Sequence, residues 1–140
     1  MLARLALKTA IDNGHDDLLL AVIVRDSGAA VGHVTLELAS REHWQGEIGY
    51  VVHPDHHGRG YATEAATLML RLGFEHLHLH RIVGRLDARN VASARVLERL
   101  GMRREAHLRE NELIKGVWCD ELVYAMLATE WEARTAAEGA

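Results

Sequence analysis

His57-Gly58-Arg59-Gly60-Tyr61-Ala62-Thr63-Glu64-Ala65 stands between a β-like stretch, Glu47 to His53, and a run with helical spacing that begins near Tyr61. A glycine turn that opens a helix suits phosphate. Glycines let backbone N–H groups approach an anion with no side chain in the way, and the free amides and positive dipole end of the helix attract it. The ligand is therefore expected to carry phosphates. The stretch lacks the Gly-Lys-Ser/Thr ending of a Walker loop, and it also lacks the third glycine and downstream acidic pattern of a Rossmann dinucleotide site. Two glycines before a helix can also form nothing more than a turn, so the surrounding chain has to decide.

Upstream, Glu47 to His53 reads as a strand ended by Pro54, the only proline, which cannot donate to a ladder. Gly32, Val34, Leu36 and Leu38 alternate with His33, Thr35 and Glu37, the period-two pattern of a half-buried strand. Leu18 to Val24 reads as a buried strand, and the link Asp26 to Ala30 makes the two a hairpin. Residues 2–10 read as a short helix or its end, followed by a turn at Asn13-Gly14. Downstream, Ala62, Ala65, Ala66, Met69, Leu72 and Gly73 recur with helical spacing to about His76, predicting an amphipathic helix packed on a sheet. Ile82 to Leu86 reads as a strand. Asn90 stands as an N-cap before the apolar stripe Val96, Leu97 and Leu100, and Gly101 stops that helix. Two strand-like segments, about Arg103 to Arg109 and Leu122 to Leu127, flank a polar loop with Gly116, and the tail after Thr129 reads as helical or frayed.

The chain has 140 residues, 49% of them hydrophobic, which predicts a single domain over 1–140 with a real core. Its net charge of -4, with Lys and Arg scattered, offers no basic face for nucleic acid. Cys119 is the single cysteine, so no intramolecular disulfide or multi-cysteine zinc site is available, and it reads as packing rather than as a nucleophile. No apolar run reaches membrane-spanning length and nothing resembles a signal peptide, so a cytoplasmic protein is expected. Ten histidines, among them His53, His56 and His57 and the alternating His76, His78 and His80, lack cysteine or carboxylate partners at ligand spacing, and no metal is expected.

Several separate segments together resemble the GNAT N-acetyltransferases, most of all the RimJ/RimL-type branch. They are Glu47-Ile48-Gly49-Tyr50-Val51, Gly58-Arg59-Gly60-Tyr61-Ala62-Thr63-Glu64-Ala65, Asn90-Val91-Ala92-Ser93-Ala94-Arg95, Glu98-Arg99-Leu100-Gly101-Met102, and Asp120 with Tyr124. The likeness runs over about residues 17–127. It implies an α/β, three-layer αβα acyl-CoA N-acyltransferase fold, with a twisted mixed sheet covered by helices on both faces. It implies acetyl-CoA as co-substrate, its pyrophosphate on the amides around Gly58, Arg59, Gly60, Tyr61 and Ala62, with Thr63 in the same turn. The pantetheine arm would run along the strand end Val51, Val52, His53. The family usually has Gln or Arg where this chain has His57, so imidazole replaces a cationic or amide contact. The family also has a strand and a longer helical region before the segment matching Leu18, where this chain has only about sixteen residues. Part of the acceptor wall is then expected to be missing from this N-terminally shortened fold, either because the sequence starts late or because a second subunit covers the groove, and a homodimer is the expected partner state.

Acetyl transfer from a thioester to an amine needs a neutral amine, a place for oxyanion charge and a proton for the departing thiolate. Glu47 is the candidate base, since alternation puts it on one strand face with Gly49, Val51 and His53; a solvated strand carboxylate is its plain reading. The resemblance suggests Ser93 as proton donor to the thiolate and Asn90 as a hydrogen-bond partner of the cofactor arm, against plain readings as first-turn residue and N-cap. Tyr124 is a rival donor, against a plain reading as packing. The expected activity is acetyl transfer to a primary amine, either a protein N-terminus or a small molecule. A non-catalytic CoA-binding regulatory module is the alternative.

Overall fold

The computed structural model describes residues 3–12, 15–24, 27–54 and 60–139. Seven strands, β1 Ala3–Asp12, β2 His15–Val24, β3 Ala30–Ser40, β4 Gln45–Val52, β5 Arg81–Asp87, β6 Arg103–Ile114 and β7 Val117–Leu127, form one sheet in the order β1-β2-β3-β4-β5-β7-β6. Every neighbouring pair is antiparallel except β4 with β5, which is parallel. That parallel step needs a crossover, and the chain makes it through α1 Tyr61–Arg71 and a π-helical turn, Leu72–His76. Two further helices, α2 Val91–Arg99 and α3 Ala128–Glu138, follow β5 and β7.

One continuous core lies between the sheet and these helices. Val34 and Leu36 of β3, Ile48 and Val52 of β4, and Ile82 and Leu86 of β5 point into it, as the alternation of the strands dictates. Ala65, Ala66, Met69 and Leu70 of α1 meet them, with Leu97 of α2 and Trp131 of α3 closing the two ends. Gly84 permits the close approach of α2, because a Cβ there would stand 3.1 Å from a Leu97 methyl.

Three expectations change. Residues 2–10 read as helical, yet Ala3–Asp12 is a strand paired along its whole length with β2. The polar stretch around Gly116 is not a loop but the tip of a long hairpin. Only Lys115 and Gly116 turn the chain, with φ 49° and 79°, the left-handed pair that suits the strand twist. Helices cover one face only: all three pack against the core just described, and no described helix lies on the face that carries Thr35, Glu47, Val51, Arg85 and Glu121. The turn expected at Asn13-Gly14 lies outside the described residues, as does Asp26 of the β2–β3 link.

Candidate active site

The site begins where β4 and β5 part. Their parallel pairing joins Gln45–Ile48 to Arg81–Gly84 and goes no further. From Gly49 onward β4 has lost β5 as a neighbour, so the sheet opens into a gap at its centre. Two adjoining concavities occupy this opening, of about 340 Å³ and about 550 Å³. Tyr50, Val51, Asn90 and Ser93 line both and mark their junction. The smaller extends over Thr35, Gly49, Arg85 and Asp87 on the open sheet face, and the larger runs past Val52 and Pro54 to Gly60, Tyr61, Ala62 and Thr63.

At the far end of the larger concavity α1 starts on Gly60, whose φ is 77°. The left-handed backbone needs glycine, and a Cβ built there meets nothing within 4 Å, so open space faces the turn. No side chain caps α1. A helix start leaves its first N–H groups without intrahelical acceptors, and the amides of Ala62 and Thr63 are among them. The arrangement suits an anion. Arg95 and Arg99 of α2 line the same concavity. His57, Gly58 and Arg59 lie outside the described residues.

At the junction the Tyr50 hydroxyl donates to the Ser93 carbonyl at 2.9 Å and stands 2.8 Å from Ser93 Oγ. Burial pushes the Tyr50 phenol above its ordinary range, against a smaller opposing effect of the Ser93 bond. Asn90 is the N-cap of α2: its Oδ1 accepts the Ser93 N–H at 3.0 Å, which leaves its amide N–H groups for a ligand. One helix start therefore positions both Asn90 and Ser93.

Other anticipated residues are spread more widely. Glu47 sits on the open face beside the smaller concavity, with Oε1 2.9 Å from Arg85 Nε. The His53 N–H donates to the Val31 carbonyl at 2.7 Å, anchoring the end of β4 to β3. Tyr124 is 4% exposed in the core, opposite Gly84 in register, and lines neither concavity. Burial raises its phenol pKa too. Asp120 holds the β6–β7 hairpin, accepting from the Glu110 N–H at 2.8 Å where Glu110 has φ 46°. Buried Cys119 donates its thiol to the Val117 carbonyl. Among the described residues no three His, Cys, Asp or Glu side chains gather as metal ligands.

Tyr50, Arg85, Arg95 and Arg99 were not singled out in the sequence. Tyr50 had a signal, since alternation sets it on the helix-covered face at the strand's end; the arginines had none that local pattern could give.

The acetyltransferase (GNAT) domain profile matches residues 2–103. The chain belongs to the GNAT acetyltransferase family. It is 39% identical over 110 residues to an uncharacterised N-acetyltransferase of Bacillus subtilis, a match covering 79% of this chain and 64% of that protein. A GNAT-family acetyltransferase from Bacillus anthracis superposes with a TM-score of 0.75 at 38% identity, over 80% of this chain and 67% of that one. Mutant forms of the spermidine/spermine N-acetyltransferase of Vibrio cholerae give a TM-score of 0.79 at 25% identity, over 89% and 73%. This GNAT chain thus spans less than two thirds of the length of the curated relatives it matches first. No helix among its described residues is long and apolar enough to cross a membrane.

Proposed function

We propose that this GNAT domain transfers the acetyl group of acetyl-CoA to a primary amine by direct attack of the amine on the thioester. The observation that carries the reading is the gap between β4 and β5, which joins an uncapped helix start to an open sheet face through Tyr50, Val51, Asn90 and Ser93. The amides of Gly60 to Thr63 hold the pyrophosphate, together with His57, Gly58 and Arg59. Arg95 and Arg99 supply cationic partners for the remaining phosphate. The pantetheine arm takes the edge of β4 at Val51 to His53 that β5 has vacated, and Asn90 donates to it. The thioester then lies at the junction.

The amine enters from the open face. As its C–N bond forms and the C–S bond breaks, Glu47 takes the amine's proton, directly or through water, and the leaving thiolate is protonated from the Tyr50–Ser93 pair. Tyr124 is a poorer donor than that pair because it is sealed in the core. The acceptor class includes protein N-termini and small amines such as polyamines. A cytoplasmic setting accompanies this reading, supported by the lone, buried Cys119, and the net charge of -4 argues against a nucleic-acid partner. The open face also supports a homodimer in which a second copy covers it; light scattering at micromolar concentration tests this, and a clean monomer removes it.

The decisive experiment is thiol release from acetyl-CoA with a panel of amines and N-terminal peptides. Turnover with any of them supports the enzyme. Acetyl-CoA binding with no transfer to any member sinks it and leaves a CoA-binding regulatory module.

A further inference from the structure

Arg85 spans the open face between two carboxylates. Its Nε donates to Glu47 Oε1 at 2.9 Å and its Nη1 to Glu121 Oε1 at 3.2 Å. The strand register sets this up. Val83 is the parallel partner of Glu47, and Asp87 is the antiparallel partner of Glu121. Arg85, at the alternate position between them, reaches back to one and forward to the other. Glu121 is 8% exposed and is the sole buried charged residue among those described. Asn111 Nδ2 also donates to its Oε1, at 3.4 Å. A carboxylate at such depth is costly unless its charge is matched, and its match is the half-exposed guanidinium that also holds Glu47.

We propose that Glu121 is a positioning residue for acetyl transfer: through Arg85 it fixes the Glu47 carboxylate beside the β4–β5 gap and balances the guanidinium, so that Glu47 can accept a proton. The inference rests on the reading of Glu47 as the base. A guanidinium directed wholly at Glu47 would favour the carboxylate form and make it a poor acceptor; sharing that charge with Glu121 relieves the effect.

The other charged groups on this face are a neighbouring carboxylate on β3 and groups held elsewhere. Glu37 of β3 is the register partner of Glu47, with Asp17 of β2 beyond it. Arg81 is held by Glu105, and Asp87 by Arg89. Glu112 of β6 faces Glu121, whose hydrogen bond holds its carboxyl above the usual range.

The test is the pH dependence of kcat/KM, between about pH 4 and pH 9, for the wild type, Glu121→Gln, Glu121→Asp, Arg85→Gln and Glu47→Gln. Acetyl-CoA affinity and melting are measured alongside. Glu121→Gln leaves Arg85 unopposed, so the acidic limb is expected to move roughly one unit lower and the plateau to fall about tenfold, with acetyl-CoA affinity unchanged. Glu121→Asp restores the limb. Arg85→Gln moves it the opposite way, to higher pH, and if the unmatched Glu121 unfolds that variant, Arg85→Gln combined with Glu121→Gln, which buries no unmatched charge, is expected to show the same upward shift. An acidic limb that stays in place in folded Glu121→Gln, or in Arg85→Gln, overturns the inference while a large loss in Glu47→Gln still upholds the base. Full activity in Glu47→Gln removes the base reading, and this inference with it.

Discussion

The Tyr50 phenol and the Ser93 hydroxyl stand 2.8 Å apart across the space between β4 and α2. The phenol has one proton, and the Ser93 carbonyl, 2.9 Å away, can only accept. The phenol therefore donates to the carbonyl, and the Ser93 hydroxyl donates to the phenol oxygen. The serine anticipated as a lone proton donor is one half of a couple. Tyr50→Phe is expected to lower kcat roughly 10²-fold while leaving acetyl-CoA affinity within a few-fold. An unchanged kcat removes the pair from the proton path.

The same tyrosine gives stability a definite dependence on alkali. Its folded-state pKa lies above the unfolded value because burial disfavours phenolate. That contribution is complete below about pH 10, the unfolded pKa, and is lost as the pH rises through the folded pKa. Urea midpoints compared near pH 8 and above about pH 10 should fall less steeply for Tyr50→Phe than for the wild type. Equal slopes would show that the phenol is not desolvated as the fold implies.

At Gly60, a side chain meets no steric wall, so the effect of substitution is backbone strain plus charge. Gly60→Asp is expected to weaken acetyl-CoA binding by roughly 10²-fold or more, equivalent to about 2.7 kcal/mol, in a protein that still folds. Gly60→Asn tolerates the left-handed backbone without the charge and should keep most of the affinity. Calorimetric titration of both variants separates the two effects. Equal affinity for Asp and glycine removes the phosphate assignment.

Glu47→Gln should lower kcat/KM by roughly 10² to 10⁴, with acetyl-CoA affinity little changed because the carboxylate stands away from the start of α1. Raising the pH supplies neutral amine and should partly rescue the variant. A rate within a few-fold of wild type at neutral pH leaves water or another group as proton acceptor.

Away from the site, Trp131 ties α3 to the π-helical turn. It is 2% exposed, its ring lies 6.0 Å from that of Phe74, and its Nε1 donates to Glu75 at 2.8 Å. Arg71 and Arg134 lie over the indole. Trp131→Ala should cost about 3–5 kcal/mol in denaturant unfolding and leave the acetyl-CoA Kd unmoved. A loss under about 1 kcal/mol would mean α3 contributes little to folding.

What the sequence made legible was whatever local chemistry determines. Asn90 and Gly101 bracket α2 because capping is a matter of adjacent residues, and Pro54 ends β4's run for the same reason. The segment 2–10 reads as helical because a short apolar run fits either period, and the conformation of β1 is dictated by a partner strand that no local pattern announces. The hairpin around Gly116 has the sequence pattern of a loop because its outer part is polar, lying beyond the reach of β5. The link from Glu47 through Arg85 to Glu121 joins three strands that adjoin only once the sheet exists. It could not be read from spacing.

A sheet that stops pairing at Ile48 and Gly84 is a strand short in its middle, and an extended, amide-bearing ligand laid in that vacancy does a strand's work. Acetyl-CoA would then act as a detachable piece of the fold, raising the unfolding free energy by about 2.7 kcal/mol at a free concentration of 100 Kd. Its hydrogen-exchange footprint should fall on both β4 and β5, closing the molecule along the same line where the chain itself leaves it ajar.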